Sequence, residues 1–315
     1  MRALVFDGKL HLRTDYSDPV ATPGESIVKV SLAGICGTDL EITRGYMEYR
    51  GILGHEFVGR VVQSEIAALA GKRVVGEINA SCGKCNSCID GMGRHCPTRT
   101  VLGILGRDGA FAEYLQLPNA NLIALPATVT DEAAVFTEPF AAACEIFEQA
   151  HLKRTDRIAV LGDGRLGAMV ALVLRAANFA PVVAGHHPEK LKRLAALGLQ
   201  TKPDGELASG YDVVIDCTGH SEGFSRAIAL ARPRGMVILK STAAAGVAMS
   251  LAPVVINEIT IIGSRCGRFA PAIDALTAHK FDPRLLIDGT YSLDDGVAAF
   301  AAAADKSKFK IVIRP

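Results

Sequence analysis

Four of the chain's eight cysteines, Cys82, Cys85, Cys88 and Cys96, fall in one short stretch, CGKCNSCIDGMGRHC. Gly83, Gly91 and Gly93 let that stretch curl. Four thiolates at about 2.3 Å from one ion make the closed tetrahedral shell of a structural zinc, which staples a loop and leaves no position for a substrate. An iron–sulfur cluster is the competing reading. Such runs use a different spacing and a following proline, and Cys96-Pro97 supplies the proline. Disulfides belong to oxidising compartments and are the third reading.

A second group of possible ligands is more dispersed. Cys36 lies in GICGTD, His55 and Glu56 in GHEFVG, and Glu138 in TEPF. Taken singly, a cysteine after a strand is a small buried apolar residue, a histidine is a satisfied polar one, and an acid at a helix start is favoured by the dipole. Together they offer sulfur, nitrogen and oxygen donors. Three such ligands leave a fourth position open, as a catalytic zinc requires. Thr38, two residues past Cys36, can place a hydroxyl beside that position or simply bond local backbone. Asp39 suits a buttress for His55, because ligating imidazoles usually donate their second N–H to a carboxylate or carbonyl.

Glycines mark the third candidate. In RIAVLGDGRLGAMVALVL, Gly162, Gly164 and Gly167 stand between an expected strand and an expected helix, with Arg165 and Leu166 between them. In a βαβ unit this spacing allows a tight turn, close approach of backbone to a pyrophosphate, and phosphates seated on the helix N-terminus. A purely structural turn is the alternative. An NAD site normally ends its second strand with an acid for the ribose hydroxyls. Here Gly185, His186 and His187 stand at that place, with Lys190 close behind. Losing the acid removes repulsion against a 2′-phosphate, and the histidines and lysine add donors, so NADP is favoured over NAD. Capping of the next helix is the simpler role for the histidine pair. Cys217, Thr218 and Gly219, and the stretch LKST with Lys240 and Ser241, end later strands and are expected to face the cofactor.

The elements that must position these residues divide the chain. Up to about residue 135, strand-forming runs such as SIVKVSLAGI, FVGRVVQ and KRVVGEI alternate with Gly, Pro and Asp turns. From about residue 139, apolar strands alternate with helices, the pattern of a doubly wound parallel α/β sheet. Near the end, Ser292 and Asp295 carry a capping signature for an Ala-rich helix, and the strand FKIVI follows and is expected to return to the first domain. With 49% hydrophobic residues and a formal net charge of +1, the chain has a large core and no footprint for nucleic acid or an acidic membrane. Asp7 and Lys9 break the first apolar run before any cleavage site, and no apolar run nears the roughly 20 residues of a membrane span. A cytoplasmic protein is expected, whose reduced thiols favour metal over disulfides.

With these motifs together, the chain resembles the zinc-dependent medium-chain dehydrogenase/reductase superfamily, the alcohol dehydrogenase family, in its threonine, sorbitol and polyol dehydrogenase-like branch. The matching motifs are GICGTD at 34–39, GHEFVG at 54–59, the four-cysteine lobe at 82–96, and EPF at 138–140; order and texture match over essentially the whole chain. The resemblance implies a GroES-like catalytic domain over 1–139 and 268–315 and a Rossmann domain over 140–267. It implies Cys36 and His55 as zinc ligands, and Glu56 as a ligand or close carboxylate. Position 138 is Cys in the ethanol-oxidising branch; as Glu138 it is expected at or near the metal, and which carboxylate binds at rest stays open. Thr38 would relay the alcohol proton. Also implied are one catalytic and one structural zinc, reversible hydride transfer between a small alcohol or polyol and NAD(P), and a homodimer or homotetramer formed through edge strands. A zinc-independent reductase on this fold would lack both cysteine features; a non-catalytic metal- and nucleotide-binding module is the other alternative.

Overall fold

The computed structural model describes residues 1–241 and 250–315. Thr242, the last residue of the LKST stretch, lies outside them. Contacts divide the chain into two compact units, Met1–Glu138 with Ala272–Pro315, and Pro139–Pro271.

Short β-prone runs punctuated by turns become the strands of the first unit. Its N-terminal segment holds Ala3–Phe6 (β1), Leu10–Arg13 (β2), Glu25–Gly34 (β3), the helix Gly37–Ile42 (α1), Gly51–Ile52 (β4), Glu56–Gln63 (β5), Arg73–Gly76 (β6) and Asn79–Ala80 (β7). Asn86–Ile89 (α2), Thr100–Leu102 (β8), Gly106–Arg107 (β9), Tyr114–Pro118 (β10), Leu122–Ala124 (β11) and Asp131–Ala134 (α3) follow. The chain leaves this unit within Thr137–Gln149 (α4).

The second unit alternates Ile158–Leu161 (β12), Arg165–Ala176 (α5), Val182–Gly185 (β13), Pro188–Ala196 (α6), Gln200–Pro203 (β14), Tyr211–Asp216 (β15), Ser221–Leu230 (α7), Ala231–Leu239 (β16), Ala252–Ile256 (α8) and Thr260–Gly263 (β17). Phe269–Thr277 (α9) leads back to the first unit, which ends with Ile287–Ser292 (β18), Gly296–Ala304 (α10) and Lys310–Arg314 (β19).

Two sheets position the candidate sites. In the first unit the order is β11-β6-β5-β3-β19-β18, with β10 also on β3. Strand β3 is antiparallel to β5, with Gly34 opposite Glu56, and antiparallel to β19, with Gly34 opposite Val312. The C-terminal strand is therefore inserted beside the strand that leads to Cys36. In the second unit the six strands run parallel in the order β14-β13-β12-β15-β16-β17. Ala159, Val160, Val214 and Val237 are fully buried in these strands, as a sheet covered on both faces demands. The order reverses between β12 and β15, and the carboxyl ends at such a switch point are where open α/β sheets bind ligands.

One element starts later than its capping signature indicates. Ser292 is still paired to Arg314 at the end of β18, so its backbone cannot enter the helix. Its Oγ donates to Asp295 Oδ2 at 2.6 Å and accepts the Asp295 N–H at 3.2 Å. This closes a turn, and Asp295 itself is the N-cap of α10.

Candidate metal centre and dinucleotide site

The pairing of β3 with β5 builds the first site. Cys36 follows β3 and caps α1, while His55 immediately precedes β5 and Glu56 begins it. Antiparallel register brings these ends together, and one donor atom each from Cys36, His55 and Glu56 lies within 4.8 Å of the other two. His55 and Glu56 are 2% and 1% exposed. Glu56 Oε1 has no hydrogen-bond partner among the described residues, although buried polar atoms are normally satisfied. A sulfur, a nitrogen and a carboxylate oxygen converging here, with one Glu56 oxygen left without a partner, fit a zinc ion.

Asp39 organises the group. Its Oδ2 accepts the Cys36 N–H at 2.8 Å, its Oδ1 accepts the Gly54 N–H at 3.2 Å, and Oδ1 lies 3.2 Å from His55 Nδ1. The last is a charge contact and not a formed hydrogen bond. It still orients the ring. Burial disfavours the charged imidazole, but the Asp39 carboxylate and Cys36 sulfur outweigh it and hold the His55 pKa well above its ordinary value. Thr38 Oγ1 lies 3.9 Å from Cys36 Sγ, at the rim of the group. Glu138, half-buried at the start of α4, is not part of the Cys36–His55–Glu56 group.

Lys310 is a residue of this site that sequence reasoning missed. Its ammonium forms an ion pair with Glu56 Oε2, and both side chains are 1% exposed. Phe136 lies under it, with the ring centroid 5.5 Å from Nζ. A lysine inside the apolar strand FKIVI was the available signal, since a buried lysine needs an acid.

The four-cysteine loop closes on itself around α2. Sγ–Sγ distances are 3.5 Å for Cys85–Cys88, 3.8 Å for Cys85–Cys96 and 3.9 Å for Cys82–Cys88. Four sulfurs about 2.3 Å from a central zinc are separated by about 3.8 Å, so the spacing fits that ion and is far too wide for disulfide bonds. The N–H groups of Lys84 and Cys85, with Thr98 and Cys96, lower the Cys82 thiol to about 6, while at Cys85 the Cys88 N–H is outweighed by burial and the neighbouring thiols, which push it up to about 11: without a cation, crowded sulfurs cannot all carry charge.

In the second unit, Gly162, Gly164 and Gly167 form the turn from β12 into α5, with Gly164 as N-cap and Arg165 and Leu166 in the first helical turn. A Cβ on Gly167 would lie 1.9 Å from Gly162 O, so only glycine lets the helix start pack against the turn. A Cβ on Gly164 meets nothing within 4 Å, which leaves the turn's outer side open. That cradle fits a pyrophosphate at a helix N-terminus. At the next strand ends, Thr218 bonds Asp216 and the Gly219 N–H donates to Ser241 Oγ at 2.9 Å. The two loops are thus tied together.

Three of the expected cofactor residues are placed differently. Lys240 Nζ donates to Ala142 O, to Ser264 Oγ at 3.0 Å and to Arg265 O at 2.9 Å. All three ammonium protons are spent inside the unit. Lys190 is 5% exposed and lies with Leu191 and Leu194 on the buried face of α6, because helical periodicity turns it inward from its position behind the histidines. Cys217 offers backbone only; its thiol is 8% exposed, and burial pushes its pKa up. His186 is exposed, and His187 is the N-cap of α6 with its ring on Asp163.

Known proteins are similar to this chain over nearly its whole length. Residues 22–127 match the alcohol dehydrogenase GroES-like domain, and residues 166–278 the zinc-binding dehydrogenase domain. An L-threonine 3-dehydrogenase of Streptomyces avermitilis is 32% identical over 95% of this chain and 94% of its own. Two solved structures are similar throughout. A short chain alcohol dehydrogenase, RspB, from Escherichia coli CFT073 complexed with NADH superposes with a TM-score of 0.91 at 28% identity, covering 100% of this chain and 99% of its own. A zinc-binding dehydrogenase of Sinorhizobium meliloti 1021 bound to NADP does so with a TM-score of 0.90 at 26% identity, covering 100% and 99%. The chain belongs to the zinc-binding medium-chain dehydrogenase/reductase family, the oxidoreductases of the alcohol dehydrogenase type.

Proposed function

We propose that the protein is a zinc-dependent, NAD(P)-linked dehydrogenase of a small alcohol or polyol, with Cys36, His55 and Glu56 as the catalytic metal site. The convergence of those three donors, with one Glu56 oxygen unpaired, carries the reading. Held there, zinc would supply Lewis acidity for an alcohol or carbonyl oxygen, and a nicotinamide dinucleotide would supply the hydride chemistry.

The chain's own residues do the rest. Asp39 holds the Cys36 backbone and the His55 ring in place. Lys310 holds one Glu56 oxygen and leaves the other for the metal. The Thr38 hydroxyl, beside Cys36, takes the alcohol proton on its way to solvent. Glu138, half-buried at the start of α4, would be a second carboxylate available to the metal. Cys82, Cys85, Cys88 and Cys96 hold a second, structural zinc.

Gly162, Gly164, Arg165, Leu166 and Gly167 cradle the pyrophosphate. NADP(H) is preferred, because β13 ends in Gly185 without an acid and two histidines follow. Among the described residues no helix is long and apolar enough to cross a membrane, and the eight free thiols suit the reducing cytoplasm. Among the described residues β17 ends its sheet, with Ile261 exposed, and Val255 and Ile256 of α8 are 75% and 77% exposed; this edge is where two chains join.

Metal analysis and turnover test the reading. Purified protein is expected to hold two zinc ions per chain, and to oxidise at least one member of a panel of alcohols and polyols with NADP or NAD. Tight dinucleotide binding with no turnover on any alcohol, polyol or aldehyde would move the chain to a binding module.

A further inference from the structure

The glycine turn contains a buried carboxylate that the preceding assignments leave without a role. Asp163, between Gly162 and Gly164, is 5% exposed. A carboxylate is buried only when its oxygens are occupied, and both are. Oδ2 accepts the His187 backbone N–H at 2.7 Å, and Oδ1 lies 2.9 Å from His187 Nδ1. The reach from one strand-end loop to the next depends on Gly185, where a Cβ would lie 2.1 Å from Asp163 Oδ2. The space in which an NAD-binding unit has the root of its ribose acid is thus filled from the neighbouring loop.

The direction of that carboxylate decides what it can do. An acid that accepts from ribose hydroxyls must present an oxygen outward, whereas Asp163 is turned onto His187. Pinning Nδ1 fixes the orientation and the tautomer of the ring: Nδ1 carries a hydrogen, and Nε2 is left on a side chain 44% exposed. An imidazolium donates from both ring nitrogens, so a histidine anchored through Nδ1 on a carboxylate can meet a phosphate through Nε2, with Asp163 offsetting its charge from the far side of the ring. Exposed His186 adjoins it.

We propose that Asp163 is a positioning residue for coenzyme choice: by fixing His187 beside Gly185 it builds a seat for the 2′-phosphate of NADP(H). This rests on the NADP(H) reading above and adds the residue that enforces it.

Calorimetry on the zinc-loaded, full-length protein with two adenosine fragments, adenosine 2′,5′-bisphosphate and 5′-AMP, tests it without any turnover. Wild type is expected to favour the bisphosphate. Asp163→Asn is expected to lower the bisphosphate-to-AMP affinity ratio about tenfold, the size of one lost charge-assisted hydrogen bond. His187→Gln, on a half-exposed side chain, gives the same result should the first variant fail to fold. In steady state, KM for NADP rises more than KM for NAD. A ratio that is unchanged, as a merely structural Asp163 would give, or one that rises, as a ribose acceptor would give, overturns the proposal while leaving the dehydrogenase reading intact. Wild type that binds neither fragment would overturn the dinucleotide site and this proposal together.

Discussion

Glu56 Oε2 and Lys310 Nζ form an ion pair across an intervening strand, with both side chains 1% exposed. Glu56 starts β5 and Lys310 starts β19, and β3 runs between them. The carboxylate crosses at Gly34, where a Cβ would stand 2.3 Å from Glu56 Oε2. Removing one partner of such a pair strands a buried charge. Lys310→Met is therefore expected to cost about 3–5 kcal/mol in urea unfolding. Glu56→Gln with Lys310→Met should recover much of that. Strictly additive losses in the double variant would show that the two groups are not coupled.

The two cysteine groups should answer differently to substitution. Cys36→Ser is expected to abolish turnover and lower the zinc count while leaving the melting transition near that of wild type. Cys85→Ser should instead lower the melting temperature, because a structural zinc contributes folding energy. Metal analysis beside thermal denaturation of each variant reads both effects, and full activity in Cys36→Ser would place the reaction centre elsewhere.

Asp39 touches the Cys36 backbone, the Gly54 backbone and the His55 ring without belonging to the Cys36–His55–Glu56 group. Outer partners of metal-bound histidine typically govern affinity by about 10–100-fold. Asp39→Asn should weaken zinc by that order in competition with a chelator. A chelator titration that superposed on wild type would remove Asp39 from the site's support.

The glycine turn separates packing from binding. Gly167→Ala puts a methyl 1.9 Å from Gly162 O and should destabilise the second unit. Gly164→Ala meets nothing within 4 Å, so it should melt like wild type yet bind nicotinamide dinucleotide more weakly, because the methyl occupies the outer side of the cradle. Fluorescence titration with NADPH beside a thermal melt distinguishes them.

Acid should loosen the N-terminal strand. Arg2 donates its backbone N–H to Glu113 Oε2 at 2.7 Å and its Nε to Oε1 at 3.2 Å. The backbone N–H first, then the guanidinium, hold the Glu113 carboxyl below its ordinary value. A depressed carboxyl contributes stability that is present above its unfolded value of about 4.3 and is lost as pH falls through the lower folded value. Glu113→Gln should flatten the stability profile below about pH 4. An equally steep acid limb in the variant would assign that limb to other carboxylates.

Much was legible because it is local. The cysteine spacing gathers four sulfurs within 4.8 Å of one another inside fifteen residues of chain, and β12, the glycine turn and α5 are contiguous, so strand, turn and helix signals sit side by side. Alternation of apolar strands with helices announced the parallel sheet for the same reason. The helix after Ser292 was misplaced by three residues because the local cap motif competes with a strand pairing to Arg314 that no local pattern reports.

What the tertiary structure alone decided depends on register between distant segments. Sequence named Cys36, His55 and Glu56 as donors, but only the pairing of β3 with β5 and β19 placed Lys310 against Glu56, 254 residues away in the chain. Sequence also named Lys190 and Lys240 as cofactor contacts. Folding turned one inward and spent the other on acceptors within its own unit, while drawing Asp163 over Gly185 onto His187. Residue type and spacing determine which chemistry is available. Which charges neutralise each other is determined by strand register and burial, since a buried ion must find its partner wherever the sheet brings one.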